Sequence, residues 1–298
     1  MKNPVIIGSR GSELALWQAH FVQSQLQNIG INSVIEIIKT KGDAIQHLSF
    51  DKIEGKGFFT KEIEEALLAG SIDIAVHSHK DLETTSPAGL VIAAVSERAD
   101  AREMLLIHTN AFDSNEHWHL KRTARVGTSS ARRKSQLLHA RPDVTTLDIR
   151  GNVPTRVQKL RNGEFDAILL AKAGLDRLQL DVSDLHAIPL AIDQLVPAPA
   201  QGALAIQTRS NDRALIEMLS SLNAPEVQRC IRIERTVLNR MHGGCQLPLG
   251  VYAQNHGGQF NVWVAFAESW NQPVLQFQLS GEDETQLIDD ILQRIQIS

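Results

Sequence analysis

Two separate stretches of this chain repeat each other, and that repetition limits the possible folds more than any single motif does. Ile7-Gly8-Ser9-Arg10 resembles Val126-Gly127-Thr128-Ser129, each an apolar strand end followed by hydroxyl residues and the start of a helical pattern. Residues 67–76, with Gly70, Ile72 and Asp73, resemble residues 160–169, with Gly163, Phe165 and Asp166. The offsets are 119 (127 minus 8) and 93 (166 minus 73), so the two copies have loops of different length.

Between these anchors, short apolar runs alternate with helical stripes. In the first copy, strands are expected over 5–7, 33–38, 72–76 and 90–95. Ser12 caps a helix carrying Leu16, Ala19, Val22 and Leu26, and a second helix runs over 59–68. In the second, strands over 104–108, 125–127, 144–149 and 167–170 alternate with helices over 130–140 and 153–161 and a helical turn at 175–178. Such alternation implies mainly parallel sheets. Beyond Pro197 and Pro199, residues 201–206 read as a strand returning towards the first copy, followed by a helix over 212–222. The rest has a helix through Cys230, a loop at Cys245, strands over 260–266 and 274–279, and a helix over 284–295. The expected architecture is α/β in three domains: 1–98 with 200–218, 103–195, and a smaller α+β domain over 222–298.

Bulk properties remove several classes of function. A chain of 298 residues exceeds the usual domain size of about 100 to 150. A net charge of −4 argues against a wholly basic nucleic-acid binder, and one Tyr, four Trp and nine Phe offer no evident platform for stacking bases. Two cysteines make no disulfide framework. The apolar run at 4–7 is too short for a signal-peptide core, and the run at 88–95 falls far below the ~20 residues of a membrane span. A cytoplasmic protein with no membrane or nucleic-acid partner is expected.

Cations recur where loops and helices begin: Arg10, Lys52, Lys56, Lys80, Arg132, Arg133, Arg150, Arg156 and Arg177. Helix N-termini bind anions, and arginine adds a planar fork for carboxylate or phosphate; Ser12, Thr128 and Ser129 suit the same use. Any one of these arginines, taken alone, reads as a solvated residue or a structural ion pair. Their recurrence in both copies favours a cleft for a polyanion. Asp81 stands beside Lys80 at the C-terminal end of a strand, where open α/β sheets place ligands; the alternative there is an Asx-turn. His77 and His79 lack a credible third metal ligand, so no metal is expected. No GxGxxG, Walker P-loop or glycine-elbow serine is present. Cys230 lies on an apolar helical stripe and reads as core. Cys245, in Gly243-Gly244-Cys245-Gln246-Leu247-Pro248-Leu249-Gly250, falls on a tight loop, where a lone cysteine is by default an inert turn residue.

In this order the motifs resemble those of the porphobilinogen deaminase family, also called hydroxymethylbilane synthases. They are Gly8-Ser9-Arg10-Gly11-Ser12-Glu13-Leu14-Ala15, Gly55-Lys56-Gly57-Phe58-Phe59, Ala75-Val76-His77-Ser78-His79-Lys80-Asp81, Val126-Gly127-Thr128-Ser129-Ser130-Ala131-Arg132-Arg133, Arg150-Gly151-Asn152-Val153-Pro154-Thr155-Arg156, Gln201-Gly202-Ala203 and the Cys245 loop. The resemblance spans residues 6–250 and implies a three-domain monomer whose first two domains are similar to periplasmic binding proteins. It implies a transferase of heme and tetrapyrrole biosynthesis that assembles four porphobilinogen molecules on a dipyrromethane cofactor, bound to Cys245 through a thioether. It further implies Asp81, with Lys80, as catalytic. Cofactor contacts would come from Arg10, Ser12, Ser78, Lys80, Asp81, Thr128, Ser129, Arg132, Arg133, Arg150, Gly151 and Arg156. Substrate contacts would come from Arg10, Ser12, Arg150, Arg156, Arg177 and Gln201, with Lys52 and Lys56 in a covering loop. The family often has Met or Leu at His79, Val-Pro at Leu82-Glu83 and Leu at Ala131; these departures flank the functional residues without replacing them. Two other classes fit the residues: a noncatalytic small-anion sensor, and a thiol-dependent transferase or hydrolase pairing Cys245 with a histidine such as His242.

Overall fold

The computed structural model describes residues 4–40, 60–244 and 246–297. Lys52, Lys56 and Cys245 lie outside the described residues. The chain divides into two compact units, Met1–Ala99 with Gly202–Arg229, and Asp100–Gln201 with Cys230–Ser298.

The first unit is built on a five-stranded sheet: β1 (Val5–Ser9), β2 (Ser33–Ile37), β3 (Ile74–Ser78), β4 (Leu90–Val95) and β10 (Leu204–Arg209), in the order β2-β1-β3-β10-β4. β1 pairs in parallel with β2 and β3, while β10 runs antiparallel between β3 and β4. The strand expected to return from the second copy therefore does so, three residues later than its apolar run suggested. Helices α1 (Glu13–Asn28) and α2 (Lys61–Ala69) cover opposite faces. Ala19, Val22 and Leu26 pack with Ile7, Ile74 and Ile206, whereas Ile63 and Leu67 pack with Ile72 and Ala75. Burial on both faces explains why β1, β3 and β10 read as apolar runs without alternation, while the edge strand β2 is largely exposed.

The second unit repeats this plan. β5 (Glu103–Ile107), β6 (Arg125–Gly127), β7 (Thr145–Leu147), β8 (Ala167–Ala171) and β9 (His186–Leu190) form the order β7-β6-β8-β5-β9. β6 is parallel to β7 and β8, and β5 is antiparallel between β8 and β9. Strand for strand this matches the first sheet, with β5 in the place of β10. Helices α3 (Ala131–Ala140), α4 (Val153–Arg161) and α5 (Lys172–Leu178) follow β6, β7 and β8. Leu105 and Ile107 share one core with Leu137, and Met104 and Leu106 share another with Val157 and Leu160. The same unit holds an antiparallel meander, β11 (Leu249–His256), β12 (Gln259–Phe266) and β13 (Leu275–Gly281). One face of the meander is covered by α7 (Pro225–Arg240) and α8 (Glu284–Ile297), with Cys230 only 5% exposed in that core. Helix α6 (Arg213–Ser220) belongs to the first unit.

The repeated sequence has a repeated physical role. Gly70 and Gly163 both end a helix in the left-handed conformation, at φ 75° and 74°. Asp73 then accepts the Ile6 backbone N–H at 3.0 Å, and Asp166 accepts that of Arg125 at 2.8 Å. In each unit this carboxylate fastens the start of the strand next to the β2 or β7 edge, β1 or β6, where an unpaired buried N–H would cost about 1–3 kcal/mol.

Candidate functional site

In the first unit the candidates gather at the C-terminal ends of β1 and β3. Arg10 follows β1 directly and is half-buried. Ser12 is the N-cap of α1, and its Oγ accepts the Ala15 N–H at 3.3 Å. Ser78 closes β3 and accepts from Gln18 Nε2 at 2.8 Å, which ties that strand end to the Ser12 helix. The chain then makes a single 3-10 turn, His79–Asp81, with the His79 N–H donating to the Ala203 carbonyl at 3.0 Å. The turn buries His79, half-buries Lys80 and exposes Asp81. A carboxylate exposed at a strand end, beside a lysine, is accessible to a bound substrate, as proton transfer requires.

His77 is buried beneath this turn with Nε2 3.2 Å from Gln207 Oε1, so that nitrogen carries the proton. Burial lowers its pKa to about 4, against the Gln207 hydrogen bond and reinforced by the charge of Arg10. His77 is therefore neutral at physiological pH. Gln207 passes its other end to Glu64, Nε2 to Oε1 at 3.0 Å, and burial raises the Glu64 pKa. Neither Gln18 nor Gln207 carries a motif signal. Only the pairing of β10 with β3 brings Gln207 to His77.

In the second unit the candidates form two connected groups and one separate residue. Ser129 Oγ donates to the Ile149 carbonyl at 2.9 Å and accepts the Ile149 N–H at 3.0 Å, fastening the Thr128-Ser129 turn to the segment entering Arg150. Gly151 follows at φ 111°, where an added Cβ would lie 2.6 Å from Thr155 Cγ2, so this turn requires glycine. Asn152 caps α4 by accepting the Thr155 N–H, and Arg156 Nε donates to the Gly151 carbonyl at 2.8 Å. Thr128, Ser129, Arg150, Gly151 and Arg156 are thus one constellation. Arg177 stands apart on α5, its pKa pulled down to about 10 by burial against the opposing charge of Asp176.

The other group is enclosed. Arg132 and Arg133, in the first turn of α3, both reach the carboxylate of Glu103 at the start of β5. Gln201, with no exposed surface, donates to Glu103 at 3.0 Å and to the Ala101 carbonyl at 2.8 Å. The sequence placed these three side chains at a ligand surface. In the structure they converge on an interior acid, Glu103, that carries no motif signal of its own.

A duplicated α/β scaffold, with guanidiniums at the strand ends of one unit and an exposed carboxylate at a strand end of the other, is the class these observations define. Residues 5–217 match the family model "Porphobilinogen deaminase, dipyromethane cofactor binding domain", and residues 228–267 match "Porphobilinogen deaminase, C-terminal domain". The porphobilinogen deaminase of Chloroherpeton thalassium is 41% identical over 290 residues, covering 96% of this chain and 90% of the relative. That of Geobacillus kaustophilus is 43% identical over 285 residues, covering 95% and 90%. The chain belongs to the porphobilinogen deaminase family. Among solved structures, the periplasmic VFT2 domain of Bordetella pertussis BvgS aligns loosely, with a TM-score of 0.44 and 14% identity over 77% of this chain and 92% of that one.

Proposed function

We propose that this chain condenses four porphobilinogen molecules, with release of ammonia, into the linear tetrapyrrole hydroxymethylbilane. The observation carrying this reading is the coincidence of the family match over residues 5–217 with an exposed Asp81 at the end of β3. Dipyrromethane, attached to Cys245, supplies the pyrrole on which assembly begins. The residues present suit such a polycarboxylate. Two buried guanidiniums share a single carboxylate, and a further arginine pair flanks the glycine turn at 151.

Loss of ammonia from porphobilinogen leaves an electron-poor azafulvene, with positive charge developing on the pyrrole nitrogen. Asp81 stabilises that charge by accepting the pyrrole N–H, assists protonation of the departing amine, and takes up the α-proton released after bond formation. Lys80 keeps the local field positive for the substrate carboxylates. Arg10, Ser12, Arg150, Arg156 and Arg177 orient successive acetate and propionate groups. We keep the three-domain division, 1–98 with 200–218, 103–195 and 222–298, on the ground that the second unit holds two sheets with separate cores. A monomer in the cytoplasm completes the reading. Among the described residues no helix is long and apolar enough to cross a membrane.

Replacing Cys245 with Ser removes the thiolate that forms the thioether. Intact mass spectrometry of purified Cys245→Ser should show the bare polypeptide, with the adduct present on the parent protein. An adduct persisting on the variant rules out Cys245 as the anchor.

A further inference from the structure

Glu103 is wholly buried, paired in the sheet between Ala171 of β8 and Leu190 of β9. A carboxylate in such a place costs several kcal/mol unless donors surround it. Its oxygens divide the donors between them. Oε1 takes Arg132 Nη2 at 2.6 Å and Gln201 Nε2 at 3.0 Å. Oε2 takes Arg133 Nε at 3.0 Å and Nη2 at 2.8 Å. Each guanidinium is also held at a second point, Arg132 Nη1 on the Val196 carbonyl at 2.8 Å and Arg133 Nη1 on the Leu169 carbonyl at 3.0 Å.

Two guanidiniums with side chains 6% and 8% exposed share one carboxylate, so the three side chains together carry one formal positive charge more than a simple pair. Burial lowers the pKa of Arg132, Glu103 opposes this, and Arg133 lowers it further. The first turn of α3, which carries both arginines, adds the positive end of a helix. The cluster is thus rigid and one positive charge in excess.

We propose that Glu103 is a positioning residue: it sets the spread of the Arg132 and Arg133 guanidiniums so that their excess charge meets a carboxylate of the cofactor or the growing chain in one register. This rests on the deaminase reading above. Glu103 itself touches no substrate; it acts through the two arginines and Gln201.

The deciding variant is Glu103→Asp, which keeps the charge but draws it back by one methylene; Glu103→Gln keeps the length and removes the charge. Both are compared with the parent protein by circular dichroism, by intact mass for dipyrromethane occupancy, and by kcat and KM for porphobilinogen at a temperature where each is folded. Folded Glu103→Asp should show lower occupancy and a KM raised about tenfold, with kcat changed less than about threefold. Glu103→Gln, if it folds, should lose more occupancy than Glu103→Asp. Parental occupancy and KM in folded Glu103→Asp, even at a lower melting temperature, reduce Glu103 to a purely structural role and overturn the proposal. A parent protein with neither adduct nor turnover overturns the deaminase reading itself, an outcome distinct from a parent that works and a variant that matches it.

Discussion

The two five-stranded sheets share a strand order and a carboxylate fastening, yet the chain leaves their equivalent strands β3 and β8 in different ways. After β3 a three-residue turn leaves Asp81 in solvent. After β8, helix α5 begins at once with Lys172, whose ammonium lies 2.6 Å from Asp176 and 3.7 Å from Asp100. A short turn leaves a charged group addressable, while a helix start commits it to its neighbours. On the function proposed above, the first copy would supply the proton chemistry and the second would hold fixed charge.

Asp81→Ala tests this division most severely. Turnover should fall by about 10²–10⁴-fold, the usual worth of a general acid–base group, while stability changes by less than about 0.5 kcal/mol because the side chain is exposed. Ammonia release and thermal melting measure the two effects, and a folded variant that consumes porphobilinogen normally would falsify the role given to the first copy.

A smaller effect separates the two fastenings. Asp73, with its side chain 6% exposed, also pairs with Arg209, itself 18% exposed; Asp166, 16% exposed, pairs with Lys121 and Arg125, both more than 40% exposed. Asp73→Ala should cost about 3 kcal/mol and Asp166→Ala about 1–2 kcal/mol in urea unfolding, since in the first case a more buried cation loses its nearer carboxylate and keeps only Asp212 at 3.5 Å. Equal losses would mean that burial does not distinguish the copies.

The smallest effect lies in acid. The Arg141 fork holds Asp143 down to about 2, chiefly through its hydrogen bonds at 2.7 Å. A depressed carboxylate contributes stability above its unfolded value near 4 and loses it as pH falls through the folded value. The stability difference between the parent protein and Asp143→Asn should therefore be constant above about pH 4 and shrink towards zero as pH approaches about 2. A difference that does not vary over that range would remove Asp143 from the acid response of the second unit.

What could be read from the chain beforehand follows from what is local. The Gly70–Asp73 and Gly163–Asp166 repeats were legible because a left-handed helix end and a strand-capping carboxylate lie within four residues. Strand β9 was missed. It contains Pro189, which argues against a central strand but is tolerated here because β9 pairs only with β5, at the sheet edge. Strand β11 was missed because Pro248 and Gly250 look like punctuation. Gly250 instead lies inside the strand, where an added Cβ would come within 2.6 Å of the Val196 carbonyl. Arg10, Ser12, Asp81 and the Arg150 turn stand out by their position at strand ends and helix starts. Glu103 could not be recognised in advance, because its partners lie 29, 30 and 98 positions away and only the folded sheet brings them to it.

The strand order also sets a timetable. β4 ends at Val95, but β10, which fills the gap between β3 and β4, is not complete until Arg209, about 110 residues later. At a synthesis rate of about 5–20 residues per second, the first sheet waits roughly 6–23 seconds with two strand edges unpaired, and every strand of the second sheet, ending at Leu190, is made before β10 is complete. The half of the molecule that carries Asp81 begins synthesis first and finishes its sheet last, so a ribosome stalled within that interval exposes an adhesive intermediate of the first unit.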